Sequence, residues 1–334
     1  MTKKMIRKLG KSGIEVSALG LGCWAIGGEF WDADDNPLGY GAIDDNQSIE
    51  AIKKAIELGI NFFDTADVYG AGHSEQILGK AIKGHRSEVV IATKFGSFFN
   101  EGTKTADFSV PKISPGYIQR ACEASLKRLD TDYIDLYQLH VWSIDKDKID
   151  SVINTFEGLV KKGLIRTYGW STDWMEGAQV FVKNSNCSAI QHQMNVFINA
   201  KEIIELCENN NLAGIIRSPL AMGLLSGKYD SSTKLPENDI RRKEPEWLIY
   251  FKQGTPDAEF LKKLKSIREI LTSNGRTLAQ GALAWIWGVS ERTIPIPGFK
   301  SVQQVEENAG AIEFGPLTKD QMIEIDKLIT RVPI

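Results

Sequence analysis

The sequence lacks a hydrophobic run that is long enough to cross a membrane. Its longest apolar stretch, at residues 282–289, is far shorter than the roughly 20 residues that a transmembrane helix needs. Residues 1–13 carry lysines, but no apolar core follows them, so we expect no secretory signal. Both absences predict a cytoplasmic protein that has no membrane partner.

Cysteine and histidine are scarce, with four residues of each type among 334. The cysteines occur singly, which predicts reduced thiols and argues against a disulfide framework or a zinc site. The histidines are equally dispersed, and His192, which lies between two glutamines, is interpreted as structural. We therefore expect a protein without a bound metal. The cysteines are Cys23, Cys122, Cys187 and Cys207.

A strong excess of charge is also missing. The 40 basic and 43 acidic residues give a net charge of −3, and without a basic stripe nucleic acid is not expected as a partner. The chain is 42% hydrophobic and 25% charged, as in soluble globular proteins. It has neither repeats nor low-complexity tracts, so we expect residues 1–334 to form a single domain.

The apolar residues cluster in short runs that alternate with helical patterns. Residues 6–17, with a turn at 11–13, predict an N-terminal hairpin. The runs are apolar throughout, as in strands that are buried on both faces of a parallel sheet. Eight such units favour a closed (β/α)₈ TIM barrel over an open sheet. The predicted strands are residues 16–23, 61–64, 89–93, 134–140, 165–171, 189–195, 213–219 and 293–297.

The helical patterns have recognisable ends. Asp44 or Asp45 can cap a helix that Gly59 ends, and Ser114 followed by Pro115 predicts the start of another. Two stretches, residues 260–271 and 318–330, predict extra peripheral helices. The polar and charged residues 229–254 predict a long loop over one mouth of the barrel.

Several predicted strands end in polar residues, and in such a barrel chemistry takes place at the carboxyl ends of the strands. Asp64 ends the second strand, Lys94 the third and His140 the fourth, while Tyr69 lies in the loop after Asp64. Lys94 is the expected partner of Asp64, because a buried carboxylate needs a positive charge nearby. One interpretation is an ion pair that only fixes the barrel.

Tyr69 favours a catalytic interpretation. The Lys94 ammonium would make the phenol easier to ionise, so that Tyr69 could donate a proton to a developing alkoxide or take one back. His140 could donate a hydrogen bond to the same oxygen and fix its position.

Six motifs follow one another along nearly the whole chain. They are Gly20-Leu21-Gly22-Cys23-Trp24, Phe63-Asp64-Thr65-Ala66-Asp67-Val68-Tyr69-Gly70, Ala92-Thr93-Lys94-Phe95-Gly96, Asp135-Leu136-Tyr137-Gln138-Leu139-His140, Gly169-Trp170-Ser171 and Ile296-Pro297-Gly298. Together they resemble the aldo-keto reductase family. The resemblance implies hydride transfer from NADPH to an aldehyde or ketone without a metal, in a monomer or small homo-oligomer. It also implies a catalytic tetrad of Asp64, Tyr69, Lys94 and His140, in which Tyr69 is the general acid and base.

The resemblance also assigns cofactor contacts. The glycines of residues 20–25 superficially fit a dinucleotide fingerprint, but no helix follows directly, so the match is misleading. By resemblance, Gly22 and Trp24 line the pocket, and Ser171, Gln191 and Asn195 hold the nicotinamide amide. Asp64 and Thr172 are expected as further cofactor contacts. The expected pyrophosphate loop contains Ser218, Pro219, Leu220, Met222, Leu224, Ser226 and Lys228.

The adenosine end is assigned in the same way. Asp239 and Arg241 are expected to close over the adenosine. A 2′-phosphate site is expected at a helix start, where backbone N–H groups favour an anion, and a cation there favours NADP over NAD. An ordinary capping box of Ser301 and Gln304 explains those two residues equally well. The site would comprise Gly298, Lys300, Ser301, Gln304, Glu307 and Asn308.

The chain departs from the family pattern at two positions. Thr172 replaces an asparagine of many relatives and keeps a hydrogen-bond donor. Arg217 stands where many relatives have an aromatic residue that stacks on the nicotinamide. Its guanidinium could stack in the same way or bind an anionic substrate group; the alternative is pairing with a nearby acid.

Aromatic residues near the strand ends could form an apolar wall for a small carbonyl substrate, such as an aldehyde or a sugar-like ring, although some could belong to the core. A Schiff-base aldolase that uses Lys94 and a nicotinamide-binding regulatory subunit are the competing interpretations. The aromatic residues are Trp24, Phe30, Trp31, Phe95, Phe98, Phe99 and Trp142.

Overall fold

In the computed structural model, which describes residues 5–243, 245 and 247–333, eight parallel strands form one sheet in chain order. The sheet is nearly closed, because Gly22 of the first strand forms a parallel bridge with Gly298, just after the last strand. The predicted TIM barrel is therefore confirmed. The strands are Gly20–Gly22, Phe62–Asp64, Val90–Phe95, Ile134–Leu139, Ile165–Ser171, Cys187–Gln193, Ala213–Arg217 and Thr293–Pro295.

The predicted strand at residues 16–23 is wrong, because two separate strands occupy it. Glu15–Ser17 pairs with Ile6–Lys8 in the expected N-terminal hairpin, and only Gly20–Gly22 belongs to the barrel. The side chain of Asn61 explains the break. It accepts a hydrogen bond from the Ser17 N–H at 2.7 Å, and the Ser17 hydroxyl accepts from the Asn61 N–H at 3.1 Å. These side-chain bonds replace the backbone ladder between the two segments.

The helices begin largely where the sequence predicts them. Asp44 accepts hydrogen bonds from the backbone of the first helix, and Ser114 caps the helix that begins with Pro115. The predicted capping box at Ser301 is only half formed, because Gln304 binds the backbone N–H of Lys300. The helices are Asp45–Glu57, His73–Ala81, Pro115–Leu129, Ile149–Lys161, Met175–Phe181, Lys201–Asn209, Ala258–Thr272, Leu278–Val289, Val302–Phe314 and Lys319–Leu328.

The segment at residues 229–254 contains a short 3₁₀ helix, Ile240–Arg242, and the strand Phe251–Lys252, which pairs with Thr255–Pro256. Residues 244 and 246 of this segment, like residues 1–4 and 334, lie outside the described part of the chain. Within the described residues, no helix combines the length and apolar character that a membrane span requires.

The N-terminal hairpin packs against one end of the barrel through its turn. The Lys11 ammonium donates hydrogen bonds to the carbonyls of Val182 and Asn184 at 2.7 and 3.1 Å. Gly10, at a φ of +51°, lies so close to the carbonyl of Ser188 that a Cβ atom would overlap with it. The turn therefore needs a glycine here both for its backbone conformation and for space.

We expect Gly10→Ala to lower the free energy of unfolding by about 3 kcal/mol, because the methyl group would force the hairpin away from backbone atoms. Gly13→Ala is the matched control. Its φ is also positive, +69°, but apart from Gly13 itself and its two chain neighbours no atom of the described residues lies within 4 Å of the point that an alanine Cβ would occupy there. Only the cost of the left-handed backbone, about 1 kcal/mol, is therefore expected. Urea denaturation of both variants measures the difference, and equal midpoints would contradict the close contact at Gly10.

The start of the helix His73–Ala81 holds the ends of three barrel strands. Ser74 donates a hydrogen bond to the carbonyl of Cys23 at 2.8 Å, and its hydroxyl lies 2.8 Å from that of Thr65. The fully buried Glu75 accepts hydrogen bonds from the Thr93 hydroxyl at 2.5 Å and from Arg128 Nε at 2.7 Å. A buried ion pair thus fixes the residue that precedes Lys94.

We expect Arg128→Met to lower the free energy of unfolding by about 3–5 kcal/mol, because it leaves the Glu75 carboxylate buried without its cation. Glu101→Gln is the control, since it removes the other, half-exposed partner of the same guanidinium and should cost about 1 kcal/mol or less. Guanidinium chloride denaturation distinguishes the two variants. A similar small loss in both would show that Glu75 does not depend on Arg128.

Candidate active site

The centre of the site is a buried ion pair between two neighbouring barrel strands. The Lys94 Nζ atom lies 2.6 Å from Asp64 Oδ1, with 0% and 2% of the two side chains exposed. Lys94 also donates to the carbonyl of Thr65 at 2.7 Å. Burial disfavours the ammonium, but the negative charge of Asp64 and the hydrogen bonds to Asp64 and Tyr69 outweigh it and raise the pKa of Lys94. The structure thus brings Asp64 and Lys94 together as expected and keeps Lys94 charged.

Two buried amides complete the surroundings of Asp64. Its Oδ2 atom accepts hydrogen bonds from Gln191 Nε2 at 2.7 Å and from Gln138 Nε2 at 3.1 Å. Sequence reasoning missed Gln138. The signal in the sequence was its spacing of two residues from His140, because side chains two positions apart lie on the same face of a strand. In the structure, Gln138 lies directly opposite Lys94 in the strand register. Both oxygens of Asp64 therefore have donors inside the barrel.

Tyr69 lies in the loop after the second strand, with its hydroxyl 3.3 Å from Lys94 Nζ. The loop is fixed because the Asp67 N–H donates to the Lys94 carbonyl and the Tyr69 N–H to the Ala66 carbonyl. Trp24 stacks on the phenol ring at 5.7 Å between centroids. Tyr69 therefore has a defined orientation toward Lys94.

The expectation that Tyr69 ionises more easily is wrong, because the net shift of its pKa is upward. Burial raises the pKa of Tyr69, and the Lys94 ammonium lowers it only in part. The desolvation of the phenolate outweighs the attraction of the cation. At neutral pH, the phenol of Tyr69 is therefore protonated.

His140 follows the fourth strand, and its ring lies 5.8 Å from the Tyr69 ring at a right angle. Its backbone N–H donates to the carbonyl of Phe95 at 2.7 Å. Burial, together with the positive charges of Lys94 and Arg217, lowers the pKa of His140 well below its usual value. The imidazole is consequently neutral at pH 7, and one of its nitrogens carries a proton that it can donate.

Ser171 and Gln191, which were predicted to hold a carboxamide, lie side by side. The Ser171 hydroxyl is 3.5 Å from Gln191 Oε1, and both side chains are buried at the barrel mouth. Gln191 also binds Asp64, so these two residues connect the expected carboxamide position directly to the ion pair.

Asn195, which was assigned to the same carboxamide, and Thr172, which was expected as a cofactor contact, use their side chains within the protein. Asn195 donates to Tyr250 Oη at 2.7 Å and to the carbonyl of Ser218 at 3.0 Å. The Thr172 hydroxyl donates to the carbonyl of Trp142 at 2.6 Å. Both side chains are buried. The donor that Thr172 was expected to keep for a ligand is thus already engaged.

Arg217 pairs with the nearby acid Asp173 through a very short contact and lies 3.5 Å from Gln193 Oε1. The alternative that the sequence left open, pairing with an acid, is therefore confirmed. The Arg217 side chain is still 27% exposed. Stacking on a nicotinamide or contact with a substrate anion stays a prediction.

The loop after the seventh strand turns tightly through left-handed backbone conformations. Ser218, Ala221 and Met222 have φ values of +54°, +49° and +55°, and two glycines follow with positive φ. The side chain of Leu224 is buried in the core, so its backbone is the part that could face a ligand. Two N–H groups of the loop are used within it, since Ala221 donates to the Ser218 carbonyl and Gly223 to the Leu220 carbonyl. Pro219, Leu220 and Ser226 lie within this loop, and Lys228 follows it.

Arg241 is a brace between loops. Its Nε and Nη2 atoms bind Asp239 at 2.9 and 2.6 Å, and Nη1 donates to the Met222 carbonyl and to Tyr229 Oη. Only 7% of Arg241 is exposed. Its donors are used inside the protein, and closure of Asp239 and Arg241 over an adenosine stays a prediction.

The residues assigned to a 2′-phosphate surround the start of the helix Val302–Phe314. Lys300 Nζ donates to the carbonyl of Tyr40 at 2.8 Å, and burial lowers the pKa of Lys300. Gln304 binds the Lys300 N–H, and the backbone of Glu307 accepts from Gln280. The remaining assigned residues are Gly298, which bridges to Gly22, Ser301, which caps the helix, and the buried Asn308.

The aromatic residues divide between core and mouth. Phe30 and Phe95 are buried, whereas 51% of Phe98 and 60% of Trp142 are exposed. Sequence reasoning missed Trp247, which packs on Trp24 at 6.2 Å between centroids and is itself exposed. Among the described residues, no cluster of three or more histidine, cysteine or acidic side chains could hold a metal ion.

Comparison with known proteins places this geometry in a family. The chloroplastic pyridoxal reductase of Arabidopsis thaliana is 36% identical over 340 residues, which cover 94% of this chain and 83% of that protein. The aldo-keto reductase yakc [NADP(+)] of Schizosaccharomyces pombe (strain 972 / ATCC 24843) is 33% identical over 314 residues, 92% of this chain and 86% of that protein.

Solved structures agree with the sequence comparison. The holo form of the aldo-keto reductase AKR11C1 from Bacillus halodurans superposes with a TM-score of 0.79 at 31% identity, over 99% of this chain and 98% of that chain. The model of the Aldo/keto reductase family matches residues 18–330. The chain therefore belongs to the aldo/keto reductase family.

Proposed function

We propose that the protein is an NADPH-dependent oxidoreductase that reduces the carbonyl group of small aldehydes or ketones to an alcohol. One observation carries the proposal: the Tyr69 hydroxyl lies 3.3 Å from an ammonium that is itself paired with Asp64 at 2.6 Å. A proton donor next to a fixed positive charge is what a developing alkoxide requires.

The residues around the mouth fit a dinucleotide. The tight left-handed turns at residues 218–223 let the loop backbone approach a pyrophosphate, while Ser171 and Gln191 offer a hydroxyl and an amide to a carboxamide. The helix start near Lys300 suits a further phosphate, which favours NADP over NAD. The name of the yakc relative, which specifies NADP(+), supports this choice.

The protein residues have distinct roles in the proposed reaction. When bound, the reduced nicotinamide supplies the hydride. Tyr69 gives its hydroxyl proton to the carbonyl oxygen, and the Lys94 ammonium stabilises the phenolate that remains. Asp64 keeps Lys94 charged and in place. The neutral imidazole of His140 donates a hydrogen bond to the carbonyl oxygen and orients it toward Tyr69.

The surroundings of Lys94 argue against a Schiff-base aldolase. Such an enzyme needs a neutral amine as its nucleophile. The pKa of Lys94 is raised, and its ammonium donates to Asp64, Thr65 and Tyr69. A carbonyl carbon would have to displace these contacts. The geometry therefore favours Lys94 as a fixed charge.

We expect Tyr69→Phe to lower kcat by about 10²–10⁴-fold, since it removes the proton donor but keeps the ring that stacks on Trp24. The dissociation constant of NADPH should change by about threefold or less. Absorbance loss of NADPH over a panel of aldehydes and ketones measures turnover, and fluorescence titration measures binding. Tyr117→Phe is the control, because its hydroxyl binds the Ser97 carbonyl away from the tetrad. Wild-type turnover in Tyr69→Phe would refute the role of Tyr69.

The pKa directions predict the pH dependence. Because the pKa of Tyr69 is raised above 10.0, carbonyl reduction, which needs the protonated phenol, should be flat between about pH 6 and 9 and fall only above that range. Oxidation of the alcohol, which needs the phenolate, should increase with pH throughout it. His140 is already neutral at about pH 6, so it should add no inflection. An inflection near pH 6.5 that disappears in His140→Gln would contradict the neutral imidazole.

A further inference from the structure

Thr172 connects the end of the fifth barrel strand to the loop after the fourth. Its hydroxyl donates to the Trp142 carbonyl at 2.6 Å and accepts from the Trp174 N–H at 2.9 Å. The single hydroxyl proton is thus used by Trp142. The backbone N–H of Thr172 donates to the carbonyl of Gln191 at 2.9 Å, which fixes Thr172 from the side of the sixth strand. Only 1% of the residue is exposed.

The loop that Thr172 binds is held at three successive residues. The His140 N–H donates to the carbonyl of Phe95, the Val141 carbonyl accepts from Trp170 Nε1 at 2.8 Å, and the Trp142 carbonyl accepts from Thr172. The contact at Trp142 is the last in this series. Beyond it, the Trp142 indole lies 60% exposed at the mouth. The backbone position of Trp142 therefore depends on Thr172, and the His140 ring lies two residues before it.

We propose that Thr172 is a positioning residue that holds His140 and Trp142 in place for catalysis, and that it does not contact the cofactor. The inference rests on the proposed function of the same site. A hydroxyl that is buried and already donates to a carbonyl has no proton left for a carboxamide. Ser171 and Gln191 alone then orient the carboxamide from this side.

The consequence is specific to the loop. His140 must keep its perpendicular orientation to Tyr69 if it is to direct the carbonyl oxygen, and small misplacements of such groups reduce rates strongly. The loss of the bond at Trp142 should therefore affect turnover and substrate binding but leave cofactor binding intact.

The test compares Thr172→Val with Thr167→Val on the same strand. Thr167 is equally buried, and its hydroxyl likewise donates to a backbone carbonyl, that of Asn186 at 2.5 Å, but at the opposite end of the strand. We expect Thr172→Val to lower kcat/KM for carbonyl reduction by about tenfold or more and to change the NADPH dissociation constant by about threefold or less. Thr172→Ser restores the hydroxyl and should restore kcat/KM, and Thr167→Val should keep it.

A second measurement does not depend on turnover. Because the chain has only four histidines, the imidazole NMR signals of His140 can be followed directly. They should shift or broaden in Thr172→Val and stay unchanged in Thr167→Val and Thr172→Ser. If Thr172→Val does not fold, Thr172→Ala removes the same hydroxyl and is measured in its place.

Two results would overturn the inference. One is a rise of about tenfold or more in the NADPH dissociation constant of Thr172→Val at unchanged kcat, which would make Thr172 a cofactor contact. The other is that Thr172→Val and Thr167→Val show the same His140 NMR signals and the same kcat/KM. If none of the carbonyl compounds tested causes the wild-type protein to oxidise NADPH, the proposed function fails instead. The NMR comparison then still decides the role of Thr172 in the loop.

Discussion

The buried pair of Asp64 and Lys94 is the interaction on which the site depends. Two charges inside a barrel are costly to desolvate, and they are stable only when each has further partners. Lys94 has three N–H bonds and three acceptors, namely Asp64, Thr65 and Tyr69. Asp64 in turn accepts from two buried glutamine amides. The positive charge is thereby fixed next to the Tyr69 hydroxyl in a buried position, where screening is weak.

A second buried pair lies behind the same strand. Along the third barrel strand, Lys94 points into the barrel, and the preceding Thr93 points outward to Glu75, which pairs with Arg128. Because side chains alternate across a strand, one strand end carries both contacts. The inner pair performs the proposed chemistry, and the outer pair fixes the backbone that presents Lys94. A change in the helix His73–Ala81 can therefore affect the reacting groups without contact with them.

The sequence predicts the features that depend on local pattern. Buried parallel strands have a recognisable composition, and the polar residue at each strand end has a fixed position, so the barrel and the meeting of Asp64, Lys94, Tyr69 and His140 follow. Contacts that depend on distant partners do not. Glu75 and Arg128 are 53 positions apart in the chain, so no local pattern predicts that they pair. The donors of Thr172 and Arg241 look available in the sequence, and only the packing of neighbouring loops shows that they are engaged.

The end of the fifth strand explains why the two departures from the family pattern belong together. Successive residues there bind different neighbours: Ser171 contacts Gln191 of the sixth strand, Thr172 binds the loop after the fourth, and Asp173 pairs with Arg217 of the seventh. Thr172 and Arg217 have thus both become contacts within the protein, through adjacent positions of one turn. Since this turn connects the His140 loop with the Arg217 side of the mouth, we expect a substitution at either position to alter the support of the other.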